Sequence, residues 1–465
     1  MIMSLCNTNY GNRTIGEALG QGKNVYFVGI GGIGMQSLAL LLKERGYSVS
    51  GSDARGDGEG IIRLRNAGIA VDVGHRSENI GAHNLVVFTL ALSDGCPELL
   101  AAKKRGILTV SRAELLGFLM STYPHSIAVA GTHGKSTTTG MLATALAASG
   151  KNPTVLSGAP LSRGGMPICI GGGETAVCEA CEYKNSFHAV VPEIAVALNL
   201  EWEHTDWFPS LSDVEASFCT FLNNAKTAVV PSSGGGIDPI RPYLAGEVAT
   251  FGLDKKATSR AENITWHNGC AAFSYIYRDR LVGLVQLSVP GMHNLHNALA
   301  ALCAVGELGA DLSAACTGIG SFYGVEGRLE RRGIWQGMTV YADYAHHPTE
   351  IAASLTTLRM MTRGRLICIY QPHTYSRTAA FFDGFVKTLS TADRTVLLDI
   401  YAAREQNESG VTSAALAAAI PNAVCLPSGE EVLSFLIKEG HAGDTVVFMG
   451  AGSITELPNL LSYEE

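Results

Sequence analysis

The stretch S-I-A-V-A-G-T-H-G-K-S-T-T-T-G-M-L-A-T-A-L-A-A-S-G, Ser126 to Gly150, constrains this chain more than any other. Ser126 to Ala130 is a short apolar run with the length and branching of a buried strand. Gly131 and Gly134 then open a turn, and Lys135 to Ser149, rich in Ala and Leu, reads as a helix. A strand, a glycine turn and a helix in that order aim backbone N–H groups and a helix N-terminus at one point, where a phosphate is stabilised. The candidate cradle is Gly131, Thr132, His133, Gly134, Lys135, Ser136 and Thr137. In it Lys135 reaches the outer phosphates of a nucleotide, and the Ser136 hydroxyl is placed to ligand Mg²⁺. The strict phosphate-loop pattern has four residues between its glycines, whereas Gly131 and Gly134 enclose two.

Upstream, Val25 to Ile30 is an apolar strand that runs into Gly29-Ile30-Gly31-Gly32-Ile33-Gly34, and a helix follows to about Arg45. A second strand at Tyr47 to Ser50 leads to Asp53. Gly29, Gly31 and Gly34, with Gly32 between them, fit a dinucleotide fingerprint in which Asp53 meets a ribose hydroxyl. The same pattern also serves as a generic nucleotide-binding or purely structural turn. Alternation continues with strands Ile69 to Val73, Leu85 to Thr89 and Leu108 to Val110, and helices Glu98 to Arg105 and Arg112 to Ser121. Residues 22–121 are therefore expected to form one Rossmann-like α/β domain.

Tyr123-Pro124 marks a boundary, and residues 122–326 are expected to form a central, phosphate-loop ATPase-type domain. Strand Thr175 to Cys178 leads to Glu179, and strand Ile194 to Leu200 leads to Glu201, Glu203, His204 and Asp206. Carboxylates and an imidazole past the carboxyl ends of parallel strands sit where α/β proteins bind ligands, and they can hold Mg²⁺. Taken singly, Glu201, Glu203 and Asp206 suit a solvated acidic loop. Cys270 to Tyr277 and Leu281 to Val289 read as antiparallel strands before a helix that opens near Asn294 and Asn297. These asparagines suit a base edge or, more simply, a helix cap.

Residues 327–465 form the third expected domain, again Rossmann-like. Its chemistry lies in Asp343-Tyr344-Ala345-His346-His347-Pro348, between a strand and a helix, and in Gln371-Pro372-His373-Thr374-Tyr375-Ser376-Arg377-Thr378 after strand Leu366 to Tyr370. Two adjacent histidines between a strand and a helix are seldom both core. Three α/β domains, each with strand-end loops, point to a site built between domains.

Composition removes several classes. A net charge of −8 without a basic block argues against nucleic acid as a partner. The 11 cysteines are scattered among apolar residues, as buried thiols are in a reducing compartment. Cys178-x-x-Cys181 has no second pair at zinc spacing. The first 24 residues lack an apolar core of signal-peptide length, and no later run is long enough to span a membrane. The expectation is a cytoplasmic protein with no membrane partner.

From about Val25 to Leu457 the motifs F-V-G-I-G-G-I-G-M, A-G-T-H-G-K-S-T-T-T, D-Y-A-H-H-P-T-E-I, Q-P-H-T-Y-S-R-T and D-I-Y-A-A-R-E resemble, in order, those of the Mur ligase family. These are ATP-dependent amide-forming enzymes of peptidoglycan precursor synthesis. The resemblance implies UDP-N-acetylmuramate, L-alanine and ATP as small-molecule substrates, with Mg²⁺ as cofactor. It implies the glycine turn at Gly29 to Gly34 on the sugar diphosphate and Asp53 close by. Lys135 would lie on the ATP phosphates, Ser136, Glu179 and His204 on the metal, Asn294 and Asn297 near adenine, and Arg328 on the nucleotide. Tyr344, His346, His347 and Arg377 would meet the amino acid and the reacting carboxylate. The amine needs a base, and His204, His346 and His347 all remain open as that base.

Where the family commonly carries a D-E-S-D-type run, this chain has Cys181-Glu182-Tyr183-Lys184. Three other readings stay in view. A muropeptide-recycling ligase would need a roomier third-domain pocket. An oxidoreductase would leave Lys135 and the histidine blocks unexplained. A non-catalytic paralogue would have no use for Lys135, Glu179 and His204 together.

Overall fold

The computed structural model describes residues 14–93, 95–161, 165–403 and 405–464. Arg404 of the D-I-Y-A-A-R-E run and most of the polar amino-terminal segment lie outside the described residues. The fold is α/β throughout and forms two compact units. One holds the residues up to Arg260 with Ile276–Val282 and Leu299–Ile319. The other holds Ala261–Tyr275, Gly283–Ala298 and the residues from Gly320 on.

The first unit contains two mainly parallel sheets. In the amino-terminal one, the spatial order is Ala70–Val73, Ser48–Asp53, Asn24–Val28, Leu85–Phe88, Leu108–Ser111, all parallel. The central strand is buried on both faces, with Val25, Phe27 and Val28 at 0% exposure, which is why it reads as a continuous apolar run. Helix Arg112–Ser121 begins at a Ser111 cap whose hydroxyl accepts from the Glu114 amide while Glu114 reaches back to the Ser111 amide. That reciprocal cap fixes where the helix starts.

The second sheet of this unit is centred on His125–Ala130. Ile194–Ala197, Thr227–Pro231 and Glu247–Gly252 follow on one side, and Thr175–Glu179 and Thr154–Leu156 on the other, all parallel. Ile168–Cys169 closes that side antiparallel. The strand expected over Ile194 to Leu200 stops at Ala197. The Leu198 amide still donates to Ala130 beside the last paired residues, but the Thr132 amide then bonds to the Asn199 carbonyl as the chain enters the glycine loop.

In the other unit, Met338–Asp343, Thr445–Met449, Leu366–Tyr370, Arg394–Leu397 and Ala423–Cys425 run parallel in that spatial order. Glu330–Trp335 pairs antiparallel with Met338–Asp343. Among the described residues, no helix is long and apolar enough to cross a membrane.

Candidate active site

The loop between His125–Ala130 and helix Lys135–Ala148 is shaped by its glycines. Gly134 takes φ +85° at the helix N-cap, and Gly131 takes φ +140° with Leu198 so close that a Cβ would lie 3.0 Å from the Leu198 Cβ. Only glycine adopts such a backbone without strain. Asn199, just past strand Ile194–Ala197, steadies the loop by accepting from the His133 amide at 2.8 Å and donating to the His133 carbonyl at 3.1 Å. The first intrahelical bond runs from Thr138 N–H to Gly134. The amides of Lys135, Ser136 and Thr137 precede it and form the positive helix end.

Lys135 Nζ donates to the Gly131 carbonyl, and at 3.1 Å to the Thr132 carbonyl and to each oxygen of Glu182. Burial works to lower this ammonium, but Glu182, Cys181 and Glu203 outweigh it and hold Lys135 above its ordinary value. Ser136 Oγ donates to Glu179 at 3.1 Å, and Glu179 also accepts from Ser157 Oγ and the Gly158 amide. A Cβ on Gly158 would lie 2.6 Å from Glu179 Oε2, so a larger residue there would push this carboxylate from its place. Hard oxygens from Ser136 and Glu179 fit Mg²⁺. His204 stands with Glu182 instead, Nε2 to Oε1 at 3.7 Å, and is held at φ +54°.

In the amino-terminal glycine turn, the Gly29 and Ile30 amides donate to Ser52 O, and the Gly31 amide donates to Asp53 Oδ2 at 2.8 Å. Asp53 is therefore engaged by the turn itself. Gly32 caps the following helix, and a Cβ on Gly34 would lie 3.2 Å from Arg112 Nη1. Arg112 thus brings a cation to this turn. Its charge also lowers the thiols of Cys178 and Cys181, which burial pushes up more strongly. Beneath the turn, Glu98 is fully buried and accepts from Tyr26, Ser52, His75 and Asn79 at 2.7–3.1 Å.

The second unit gathers the later motifs. The Arg328 guanidinium lies over the Tyr344 ring at 4.7 Å, and the Tyr344 amide donates to Gly327 O. His346 Nδ1 stands 2.9 Å from Tyr344 O, and its ring is 6.0 Å from that of His373. Arg377 Nη1 lies 3.1 Å from His373 Nδ1. His347 is buried and caps helix Pro348–Met361, its Nδ1 accepting from the Thr349 amide, while Glu350 receives the His346 and His347 amides.

Burial pushes Asp343 up to about 6, with Ser354 and Arg328 pulling the other way. The cap expected of the asparagines is not what forms. Helix Met292–Glu307 begins before Asn294, whose Nδ2 donates to Pro290 O and whose Oδ1 accepts from Asn297 Nδ2. Inside the first turn, Asn294 thus meets the Pro290 carbonyl and Asn297.

Comparison with known proteins assigns this architecture. The Mur ligase family catalytic domain model matches residues 24–124, the Mur ligase middle domain model matches 129–305, and the Mur ligase glutamate ligase domain model matches 327–452. The chain belongs to the Mur ligase family.

This Mur ligase is 41% identical to a UDP-N-acetylmuramate–L-alanine ligase of Agathobacter rectalis over 93% of the chain and 96% of the relative. It is 37% identical to an enzyme of the same name from Caldanaerobacter subterraneus over 94% of the chain and 96% of the relative. A UDP-N-acetylmuramate–alanine ligase structure from Thermotoga maritima superposes at TM-score 0.79 with 26% identity, covering 94% of this chain and 97% of that one. A murein peptide ligase from Psychrobacter arcticus, 24% identical, shares the fold at TM-score 0.73 over 94% of this Mur ligase and 97% of that chain.

Glu182, Arg112, His373 and Glu350 are additions to the residues expected from sequence. His373 stood inside a recognised motif and Glu182 inside a recognised departure. Nothing local singled out Arg112.

Proposed function

We propose that this Mur ligase joins L-alanine to the carboxylate of UDP-N-acetylmuramate at the expense of ATP, in peptidoglycan precursor synthesis. The observation that carries the substrate pair is the end-to-end match with the Agathobacter rectalis ligase at 41% identity. Lys135 and the amides of Lys135 to Thr137 stabilise the charge on the γ-phosphoryl oxygens as the muramoyl carboxylate attacks and ADP leaves. Mg²⁺ held by Ser136 and Glu179, with His204, would neutralise part of that charge. Asn294 and Asn297 take the adenine and Arg328 the nucleotide. The glycines Gly29, Gly31, Gly32 and Gly34, with Arg112, hold the sugar diphosphate on a turn that Asp53 fixes.

The alanine amine then attacks the acyl phosphate carbon, and the tetrahedral intermediate expels phosphate to leave the amide. Arg377 binds the alanine carboxylate, with Tyr344 and His346 beside it. The hydrogen bond from His346 Nδ1 to the Tyr344 carbonyl leaves Nε2 as the ring's acceptor, which suits a base for the amine proton. His347 uses Nδ1 as an acceptor for the helix cap, so its neutral ring carries the proton on Nε2 and lacks that capacity. Of the two adjacent histidines, His346 is therefore the better base.

Phosphate release from ATP with UDP-N-acetylmuramate, adding alanine, glycine, serine and a tripeptide separately, tests the reading. Release that depends on alanine, with a product heavier by one alanine, is expected. Release with the tripeptide alone would assign the chain to muropeptide recycling instead.

A further inference from the structure

Glu182 touches Lys135 directly, yet the reaction above gives it no part. It is 3% exposed, both of its oxygens lie 3.1 Å from Lys135 Nζ, and Oε1 lies 3.7 Å from His204 Nε2. An ammonium has three N–H groups. Those of Lys135 are already shared among the Gly131 carbonyl, the Thr132 carbonyl and Glu182. A phosphate can engage this lysine only if one of these partners lets go. The two carbonyls belong to the loop that wraps the phosphate, whereas Glu182 comes from a separate segment after strand Thr175–Glu179. Being an anion, it also repels the incoming phosphate.

Once Lys135 turns to a phosphate, Glu182 would be left buried without its cation, which is costly unless another replaces it. The nearest candidate position is beside His204. That imidazole is fixed by its neighbours: the Tyr183 ring packs against it at 4.8 Å, and Tyr183 is itself tied to Asp206 by a 2.7 Å hydrogen bond. With Lys135 anchored to the loop helix and His204 held in its turn, rotation of the Glu182 carboxylate is the movement that changes partners.

We propose that Glu182 is an exchange carboxylate: it neutralises Lys135 before nucleotide binds, and passes to the divalent cation beside His204 when Mg²⁺–nucleotide arrives. This rests on the reading of Lys135 as the phosphate ligand. Two consequences separate it from a merely structural role. Glu182 opposes nucleotide binding when no metal is present, and it strengthens the coupling between metal and nucleotide when metal is present.

The test is calorimetric titration of a non-hydrolysable ATP analogue into wild type, Glu182→Gln and Glu182→Asp, each in EDTA and in Mg²⁺. A parallel titration follows Mn²⁺ by electron paramagnetic resonance with the analogue bound. Removing a charge-assisted hydrogen bond to Lys135 should tighten metal-free analogue binding in Glu182→Gln by about tenfold or more. The affinity gained from Mg²⁺ should shrink by about tenfold, and Mn²⁺ should bind correspondingly more weakly. Glu182→Asp, which keeps the charge, should retain most of the metal coupling and carries the test if the Gln variant does not fold. Metal-free binding that is unchanged or weaker in Glu182→Gln, or Mg²⁺ coupling equal to wild type, would overturn the proposal. Lys135→Ala separates the two levels: if it binds the analogue as wild type does, the phosphate-loop reading fails. If it binds weakly while Glu182→Gln matches wild type, only the exchange role fails.

Discussion

The Gly31 amide donates to Asp53 Oδ2 across 2.8 Å, and a Cβ at Gly31 would lie 2.7 Å from that same oxygen. The carboxylate that a dinucleotide fingerprint reserves for a ribose is thus spent on the shape of the turn, and its Oδ1 takes the Arg55 amide. Asp53→Ala should therefore loosen the turn and weaken UDP-sugar binding by about tenfold, the worth of one charge-assisted bond. ADP binding, which uses a different loop, should not change. Calorimetry with the two ligands checks this, and unchanged UDP-sugar affinity would contradict it.

Asp343 gives the carboxyl-terminal unit a pH dependence. Burial raises its carboxyl to about 6 from the usual 3.8, against the pull of Ser354 and Arg328. Below about pH 4 the group is protonated both folded and unfolded and costs nothing. Between about pH 4 and 6 the unfolded chain releases this proton while the folded protein keeps it, and up to about 3 kcal/mol of stability is lost across that window. Asp343→Asn should raise the urea midpoint at pH 7 and match wild type near pH 4. A variant less stable than wild type at pH 7 would show that the ionised carboxylate is net favourable there.

Much of this was legible from residues. Helix Arg112–Ser121 and strand Leu366–Tyr370 occur over the spans their patterns indicate, because their apolar periods and caps are local. The glycine turn between strand His125–Ala130 and helix Lys135–Ala148 was legible for the same reason, since its residues are consecutive. Glu182 was not, because its partner Lys135 lies 47 positions away and only the fold brings them together. The early end of the strand at Ala197 was hidden too: Leu198 and Leu200 suit its continuation, but the Asn199 carbonyl is taken by Thr132 and the Leu200 amide by Gly235. The helix cap at His347 was not legible, because there an imidazole takes the place of the usual Ser or Asp.

Gly117 carries a packing constraint that its position in helix Arg112–Ser121 does not announce. A Cβ there would overlap the carbonyl oxygen of Ala189, a backbone atom that cannot swing aside. Helix propensity alone favours alanine over glycine, so the two effects oppose each other. Overpacking against backbone is the larger, and Gly117→Ala should destabilise the first unit by about 1–3 kcal/mol. Thermal unfolding measures it; a raised Tm would mean that the helix and the Ala189 segment separate at little cost.

Glu179 collects Ser136, Ser157 and Gly158 around one carboxylate. Glu179→Gln keeps much of that hydrogen bonding but removes the charge that a hard divalent cation needs. Turnover should fall by about a hundredfold or more at low Mg²⁺, with a higher Mg²⁺ concentration needed for half-maximal rate. Phosphate release across a Mg²⁺ series checks this, and an unaltered Mg²⁺ requirement would remove Glu179 from the metal site.

The central claim is that the Lys135 loop transfers the γ-phosphoryl group of ATP to the muramoyl carboxylate. UDP-N-acetylmuramate labelled with ¹⁸O in that carboxylate, turned over with ATP and L-alanine, tests it directly. One labelled oxygen should appear in the inorganic phosphate, because the bond broken when the amine attacks is the one between the acyl carbon and the bridging oxygen. Label recovered in AMP, or absent from phosphate while the amide forms, would contradict the account.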